Sequence, residues 1–302
     1  MRWEADDVLV GYGNTKGEVW YVDGDRSTGG AGQDWDDAFP TITEALAAAT
    51  TDDVIFVGQG TYAEESLVVT QDNLKIIGVG TGAFHRGPTI YNSAKTTDIQ
   101  LMNVDAHNVE IAGLRFIVPN DAVSTAGSNT AYALTYAGSH YGGWIHHCSF
   151  QALGNYWGCA LALGCHSGSF ESGTVENNHF HHGANHIRVK WGSRMMIRNN
   201  HFTMMGDNAE GNCIRYESTT NASFGVSVKD NDFELMYTTG GYGIFVKATP
   251  TEGYFHIGGN RFSENFTVGH TISKLTGYES APNTYGDERI AIGNPVTEAA
   301  WD

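Results

Sequence analysis

Hydrophobic and polar residues follow one short phrase that returns along most of the chain. Each copy begins with a β-branched residue and ends with a Phe, at Phe116, Phe150, Phe180, Phe202, Phe233 and Phe262. In the last four copies an Asn stands two positions before the Phe, as Asn178, Asn200, Asn231 and Asn260. Residues that return at one place in every copy predict a solenoid, in which each copy belongs to one coil stacked on the next.

The spacing of the copies is irregular. The interval between successive Phe residues varies from 22 residues (Phe180 to Phe202) to 34 residues (Phe116 to Phe150). A short coil with loops inserted in some turns produces this variation, whereas a repeat of fixed length does not. A second run precedes each phrase and mostly alternates apolar and polar residues, as in 186–190. A period of two is typical of a half-buried strand, so each coil is predicted to contain at least two strands.

The repeated Asn and Phe residues predict two structural columns. Asn tolerates the left-handed backbone conformation that a sharp bend between strands requires. Stacked from coil to coil, its amides are also expected to hydrogen-bond along the axis. The Phe side chains are expected to stack inside the coils. The fold class predicted is therefore all-β, a single-stranded right-handed parallel β-helix.

The N-terminal end of such a solenoid needs a cap, because an open end exposes unpaired backbone groups. Thr41 and Glu44 have the spacing of a capping box. Apolar residues at helical spacing follow, and they predict a short capping helix over about 41–50. We expect an N-terminal arm over 1–18, a β-helix domain over 19–276, and a C-terminal cap or tail over 277–302.

Four segments near the N-terminus carry a family resemblance: Tyr21-Val22-Asp23, Trp35-Asp36-Asp37-Ala38-Phe39-Pro40-Thr41-Ile42, Asp53-Val54-Ile55-Phe56-Val57 and Gly60-Thr61-Tyr62-Ala63-Glu64. With the Asn–Phe coils, they resemble the N-terminal cap and coils of pectin-lyase-like β-helix proteins, over roughly residues 20 to 275. That superfamily includes polysaccharide lyases, glycoside hydrolases, phage tailspikes and non-catalytic virion proteins. The resemblance therefore implies the fold strongly and the activity weakly.

The composition of the chain argues against some classes of binding partner. The formal net charge is −17, which opposes binding to phosphate backbones and anionic membranes, so we expect no nucleic-acid partner. No apolar run approaches the length of a membrane span, so no membrane insertion is expected. Four cysteines without a CxxC pair favour buried thiols. The first residues lack the pattern of a signal peptide, so the protein either stays where it is made or leaves by another route such as virus assembly. Of these, we expect a virion or otherwise extracellular location.

Candidate catalytic residues lie at outward positions of the second strand. Their columns read Ala162, Arg188, Arg215, Phe245 and Ser273, and beside them Gly164, Lys190, Glu217 and Lys247. Resembling lyases need a base that removes a proton next to a carboxylate and a cation that neutralises that carboxylate. Arg188, Lys190 and Arg215 are the candidates for these roles. A salt-bridge ladder of alternating sign through Lys190, Glu217 and Lys247 is the structural alternative.

Three further groups are candidate ligand sites. Tyr156, Trp157 and Trp191 lie near predicted bends and could stack on sugar rings, although packing of inserted loops explains them equally well. Asp207 and Glu210 lie in a loop that resembles the calcium-supported region of alginate-lyase-like β-helices, and an ordinary turn is the alternative. His179 and His201 are equivalent positions on adjacent coils, where they could share a metal ion or simply stack in solvent.

The sequence favours one function and leaves a second open. The first is a non-enzymatic virion structural protein that is tailspike-like, a fibre or capsid-decorating, with glycan as a ligand and a homotrimer or other virion proteins as the assembly. It requires no cofactor, and Ca²⁺ is the ion suggested for the loop with Asp207 and Glu210. The alternative is a polysaccharide lyase acting on uronic-acid-containing glycans. A glycoside hydrolase is disfavoured because no pair of carboxylates stacks on the second-strand face.

Overall fold

A computed structural model of the chain describes residues 17–80, 87–91, 100–118, 132–136, 138–152, 159–163, 169–181, 185–204, 212–216, 225–235, 242–246, 255–263, 272–273, 283–285 and 288–290. In these ranges the chain winds through three long sheets, and a complete coil contributes one strand to each. We number the sheets 1, 2 and 3 in the order in which a coil passes through them. The third strand of each coil adds to the two that the alternating pattern predicts.

Sheet 1 has nine strands in the described part of the chain, all parallel: Val19–Val22, Val54–Val57, Lys75–Gly78, Glu110–Ala112, Trp144–His146, Thr174–Glu176, Met196–Arg198, Val226–Lys229 and Phe255–Gly258. Sheet 3 has eight described parallel strands: Leu67–Val69, Gln100–Val104, Tyr132–Tyr136, Cys159–Leu163, Asn185–Val189, Asn212–Tyr216, Tyr242–Val246 and Ile272–Ser273.

Sheet 2 has ten described strands: Thr61–Tyr62, Thr89–Tyr91, Arg115–Val118, Ser149–Ala152, His179–His181, His201–Met204, Asp232–Leu235, Arg261–Phe262, Asn283–Tyr285 and Glu288–Ile290. The last two strands pair antiparallel with each other and extend this sheet into the segment 277–302. A small corner sheet lies between sheets 3 and 1, with strands His140–Tyr141, Phe170–Glu171 and Gly192–Ser193.

The predicted Phe column is confirmed. All six side chains are buried, with no more than 1% of their surface exposed. Neighbouring rings stack nearly parallel, with centroids 4.7 to 5.1 Å apart. This interval matches the spacing of about 4.8 Å between adjacent strands, so each coil places its ring directly on the ring below. Each coil therefore contributes the same side chain at the same place in the core.

The Asn column forms the predicted ladder, but its backbone was predicted wrongly. Nδ2 of Asn178 donates to Oδ1 of Asn200 over 3.0 Å, and the same bond continues from Asn200 to Asn231 and on to Asn260. The left-handed conformation belongs to the residue before each ladder position. His147, Asn177, Asn199 and Asp230 have φ of 53° to 55° there. The ladder Asn is thus selected for its buried amide and its neighbour for the bend.

The capping helix is present as Ile42–Ala48, with Thr41 as the N-cap that accepts from the backbone of Glu44. The carboxylate that completes this end comes from Glu64, which accepts from the backbone N–H groups of Ile42 and Thr43. At the C-terminal end of the helix, Nε2 of Gln71 donates to the backbone carbonyl groups of Leu46 and Ala49. Both ends are therefore tied to the first coil. This described helix is too short and too polar to span a membrane.

Two of the cysteines are buried thiols, as the sequence predicted. Cys148 and Cys213 are free and buried. Burial raises the pKa of Cys148 to about 12, and it raises the pKa of Cys213 as well. Both thiols therefore stay protonated near neutral pH, where a protonated thiol is neither a nucleophile nor a strong metal ligand.

Candidate functional site

The outward column predicted on the second strand is present on sheet 3. Ala162 pairs with Arg188, Arg188 with Arg215, and the column continues through Phe245 and Ser273. Register on a parallel sheet fixes which side chains are neighbours, so two arginines occupy the same position on adjacent coils. Both are half-buried. Sheet 3 therefore brings together two of the three candidate catalytic residues.

The Arg188 side chain extends along the axis of the solenoid. Its Nη1 donates to Oη of Tyr132 over 3.3 Å. Tyr132 lies two coils away, because the strand Cys159–Leu163 runs between the two residues. A guanidinium held against a phenol hydroxyl loses rotational freedom, and it is then partly oriented before any ligand arrives.

Lys190, the third candidate, follows directly after the strand that contains Arg188. Its Nζ lies 4.9 Å from the ring centroid of Trp191, a cation–π distance. Trp191 is half-buried, so one candidate sugar platform is shared with a cation. The remaining residues of the second column, Glu217 and Lys247, lie outside the described residues, as do Tyr156, Trp157, Asp207 and Glu210.

The described strands of sheet 3 carry positive charge, from Arg188 and Arg215, whereas the chain as a whole is strongly negative. None of its eight described strands contains Asp or Glu, whereas the whole chain carries 34 acidic residues. Within the described strands, the residues in register with the two arginines are Ala162 and Phe245, which carry no charge. Because adjacent strands lie about 4.8 Å apart, two positive charges in register repel each other, and an anion placed between them is attracted by both.

His179 and His201 also stack as neighbours, on sheet 2. Their ring centroids are 5.0 Å apart with planes 25° from parallel. Nε2 of His201 lies 3.4 Å from a carboxylate oxygen of Glu234. Among the described residues, no group of three or more His, Cys, Asp or Glu side chains is arranged to hold a metal ion. The two rings stack, as the alternative expected, but His179 is buried rather than in solvent.

Sheet 1 carries a cluster that sequence reasoning missed. Glu110, Trp144, His146, Glu176 and Arg198 lie on neighbouring strands of its outer face and bond to one another. None of these residues is followed by the same residue type at the equivalent position of the next coil. A search for repeated residues therefore does not find them. The available signal was the chemistry of the outward positions on the strand that begins each Phe phrase, where two carboxylates, a Trp and a His occur on three successive coils.

Comparisons with known proteins agree on the fold. No protein-family model and no curated protein matches the chain. Among solved structures, a pectin methylesterase from Aspergillus niger in deglycosylated form matches 96% of this chain and 94% of its own, with a TM-score of 0.58 and 16% identity. Pectate lyase Pel9A matches 90% of this chain and 77% of its own, with a TM-score of 0.54 and 10% identity.

A third similar structure is the iota-carrageenase from A. fortis. It matches 85% of this chain and 58% of its own, with a TM-score of 0.58 and 11% identity. At identities this low the likeness describes backbone architecture and says nothing of catalytic residues. Together with the three parallel sheets and the stacked interior columns, it shows that the chain has a right-handed parallel β-helix fold.

Proposed function

We propose that the chain binds an acidic polysaccharide along the outer face of sheet 3, with Arg188 and Arg215 contacting its carboxylates. One observation carries this proposal: two arginines share one column on a sheet whose described strands contain no acidic residue, in a chain of net charge −17. Guanidinium groups bind carboxylates through paired, charge-assisted hydrogen bonds. A linear polymer that follows the axis would meet both arginines.

The similar solved structures support a polysaccharide as the ligand class. They are a pectin methylesterase, a pectate lyase and an iota-carrageenase, and each of these names refers to a polysaccharide. Uronic-acid polymers are the form of acidic glycan that we propose here, because the carboxylate geometry fits the guanidinium fork.

A β-helix that presents one face to a polymer also suits a tailspike-like or fibre component of a virion, and this non-enzymatic role remains our proposal for the biological setting. It includes assembly as a homotrimer or with other virion proteins, outside the cell. A rigid solenoid repeated three times around an axis would engage one glycan surface at several sites, which multiplies weak binding. Sedimentation of the purified chain tests the assembly: a concentration-independent monomer contradicts a homotrimer.

The binding proposal is tested by titration calorimetry with oligogalacturonate of defined length. Arg188→Gln and Arg215→Gln are each expected to weaken binding by about tenfold to a hundredfold, since a hydrogen bond to a charged group contributes about 1.5–3 kcal/mol. Arg261→Gln is the matched control, because Arg261 is an exposed outward arginine on sheet 2. Equal losses in all three variants, or wild-type affinity in the sheet 3 variants, would overturn the proposal.

Turnover is the second candidate function, and the stacked arginines are the observation that favours it. A lyase of this kind needs one group to take a proton and a neighbouring cation to stabilise the resulting negative charge. Arg188, Lys190 and Arg215 would supply both. Ultraviolet absorbance of the unsaturated product measures the reaction directly. Turnover that disappears in Arg188→Gln or Lys190→Gln would establish a lyase, and binding without turnover would support the non-enzymatic role.

A further inference from the structure

Three rings meet on the outer face of sheet 1, well away from the sheet 3 arginines. Trp144 stacks on His146 with centroids 4.0 Å apart, and His146 meets the ring of His147 edge-on at 5.1 Å. Trp144 is 38% exposed, whereas His146 is buried and His147 is exposed. We call these three residues the ring cluster. Two of its members thus present side chains to solvent around a buried third.

Carboxylates fix the positions of these rings. Nε1 of Trp144 donates to Oε1 of Glu176 over 2.9 Å. Nε of Arg198 donates to Oε2 of the same carboxylate over 2.5 Å. Nε2 of His146 lies 3.0 Å from Oε1 of Glu110. Glu110 and Glu176 are themselves buried. An exposed indole that is both hydrogen-bonded and stacked is held in place before a ligand arrives, so binding costs little side-chain entropy.

The imidazoles of His146 and His147 contact each other through their Nδ1 atoms, 2.8 Å apart. Since an ionised carboxylate can only accept, we assign the proton shared with Glu110 to Nε2 of His146 and the proton between the rings to Nδ1 of His147. Nε2 of His147 is left with a lone pair, and no described residue bonds to it. The cluster therefore presents an acceptor next to a flat aromatic face.

The charges around the ring cluster balance. Lys75 lies 3.6 Å from Glu110, and Arg198 is bonded to Glu176. Burial, followed by the neighbouring His146, lowers the pKa of His147 against the opposing effect of Glu176, so this imidazole is neutral near neutral pH. Two cations against two anions leave no net charge for an ionic ligand. This is the opposite of sheet 3, where positive charges are stacked.

We propose that the ring cluster binds one residue of a neutral polysaccharide. The C–H face of a pyranose ring would stack on Trp144, because aromatic faces are negative and C–H bonds are weakly positive. A sugar hydroxyl would donate to Nε2 of His147. This site is separate from the acidic-glycan face, and its ligand chemistry is different. Its success or failure therefore does not depend on the function proposed for sheet 3.

The test uses three neutral probes: cellohexaose, xylohexaose and mannohexaose. Binding is followed by calorimetry and by saturation-transfer NMR on the sugar protons. At least one probe is expected to bind. Trp144→Ala is expected to weaken that binding about tenfold or more through loss of the stacked face, and His147→Ala by less. Trp144→Phe should retain part of the affinity, since it keeps a ring but loses the Nε1–H donor.

The chain offers a closely matched control. Tyr141 is an exposed aromatic that stacks on His107 with centroids 4.0 Å apart, on the corner sheet. Tyr141→Ala is expected to bind the probe as the wild type does. Circular dichroism of every variant checks that the fold is kept, and Trp144→Phe replaces Trp144→Ala if the latter unfolds. The proposal is overturned if no probe binds, or if Tyr141→Ala loses as much affinity as the Trp144 variants.

Discussion

The outer faces of sheets 1 and 3 share one backbone geometry and carry opposite chemistry. On sheet 1, each buried carboxylate has a cation on a neighbouring strand, as Glu110 has Lys75 and Glu176 has Arg198. On sheet 3, a cation has another cation as its register partner, Arg188 beside Arg215. The spacing that lets sheet 1 neutralise its charges makes the positive charges of sheet 3 add. Register therefore underlies both of our proposals, an acidic ligand on sheet 3 and a neutral ligand on sheet 1.

Sheets 1 and 3 pack on the same core, which contains the Phe column. Removing one Phe ring is therefore expected to have the largest effect of the changes considered, measured as a loss of folding stability. Phe202→Ala removes a fully buried ring and is expected to lower the free energy of unfolding by about 3–5 kcal/mol, as large-to-small core changes do. Chemical denaturation measures it. Val68→Ala, at a position 49% exposed on sheet 3, is the control and should change stability by less than about 0.5 kcal/mol. A loss below about 1 kcal/mol for Phe202→Ala would contradict a shared packed core.

The amide ladder is the second requirement. Oδ1 of Asn200 accepts from Asn178, while its Nδ2 donates to the carbonyl of Val175 and to Asn231. Asn200→Ala leaves several of these buried groups without partners, and we expect it to cost about 2–3 kcal/mol in the same denaturation experiment. Asn199→Ala is informative beside it, because Asn199 supplies the left-handed bend rather than the ladder. Equal stability of Asn200→Ala and wild type would mean that the ladder contributes nothing.

Ligand binding to the two faces is expected to differ in its dependence on salt concentration. Binding of oligogalacturonate to sheet 3 should weaken by about tenfold between low and high ionic strength, because screening acts on ion pairs near the surface. Binding of a neutral hexasaccharide to the ring cluster should change little over the same range. Calorimetric titrations at two salt concentrations measure both. Salt-insensitive binding of the acidic ligand would remove the electrostatic distinction between the faces.

The smallest expected effect is a pH dependence of stability. Burial lowers the pKa values of His140, His147 and His256 below the ordinary value of 6.5. Between the lowered values and 6.5 the unfolded chain binds more protons than the folded chain, so stability rises with pH. This contribution is complete above about pH 6.5 and is lost as the pH falls through the folded-state values. The thermal midpoint should therefore be lower at pH 5.5 than at pH 7.5, and the reverse order would contradict it.

Much of the interior could be predicted from the sequence, because stacking repeats the same residue at the same place. The Phe column and the amide ladder follow from that rule, and so does the arginine column, once the second strand is aligned from coil to coil. The left-handed bend was assigned one residue too late because Asn occurs both before and at the ladder position, as Asn177 and Asn178 do.

The ring cluster could not be found in this way. Its three residues lie on one coil, and Glu110, Glu176 and Arg198, which hold them, come from three other coils. Their contacts depend on register rather than on repetition. Glu110 and His146 stand 36 residues apart in the chain, yet they meet because their strands are neighbours. The antiparallel strands Asn283–Tyr285 and Glu288–Ile290 were missed for a related reason. They carry neither the Asn–Phe phrase nor a helical period, and only the pairing of the first strand with Arg261–Phe262 places them on sheet 2.

The most direct test of the sheet 3 proposal is a crystal structure of the chain with oligogalacturonate. The account predicts an oligosaccharide that runs along the outer face of sheet 3, with its carboxylates within hydrogen-bond distance of the Arg188 and Arg215 guanidinium groups. An acidic oligosaccharide ordered on sheet 1 or sheet 2 with sheet 3 empty, or no ordered ligand under saturating conditions, would contradict it.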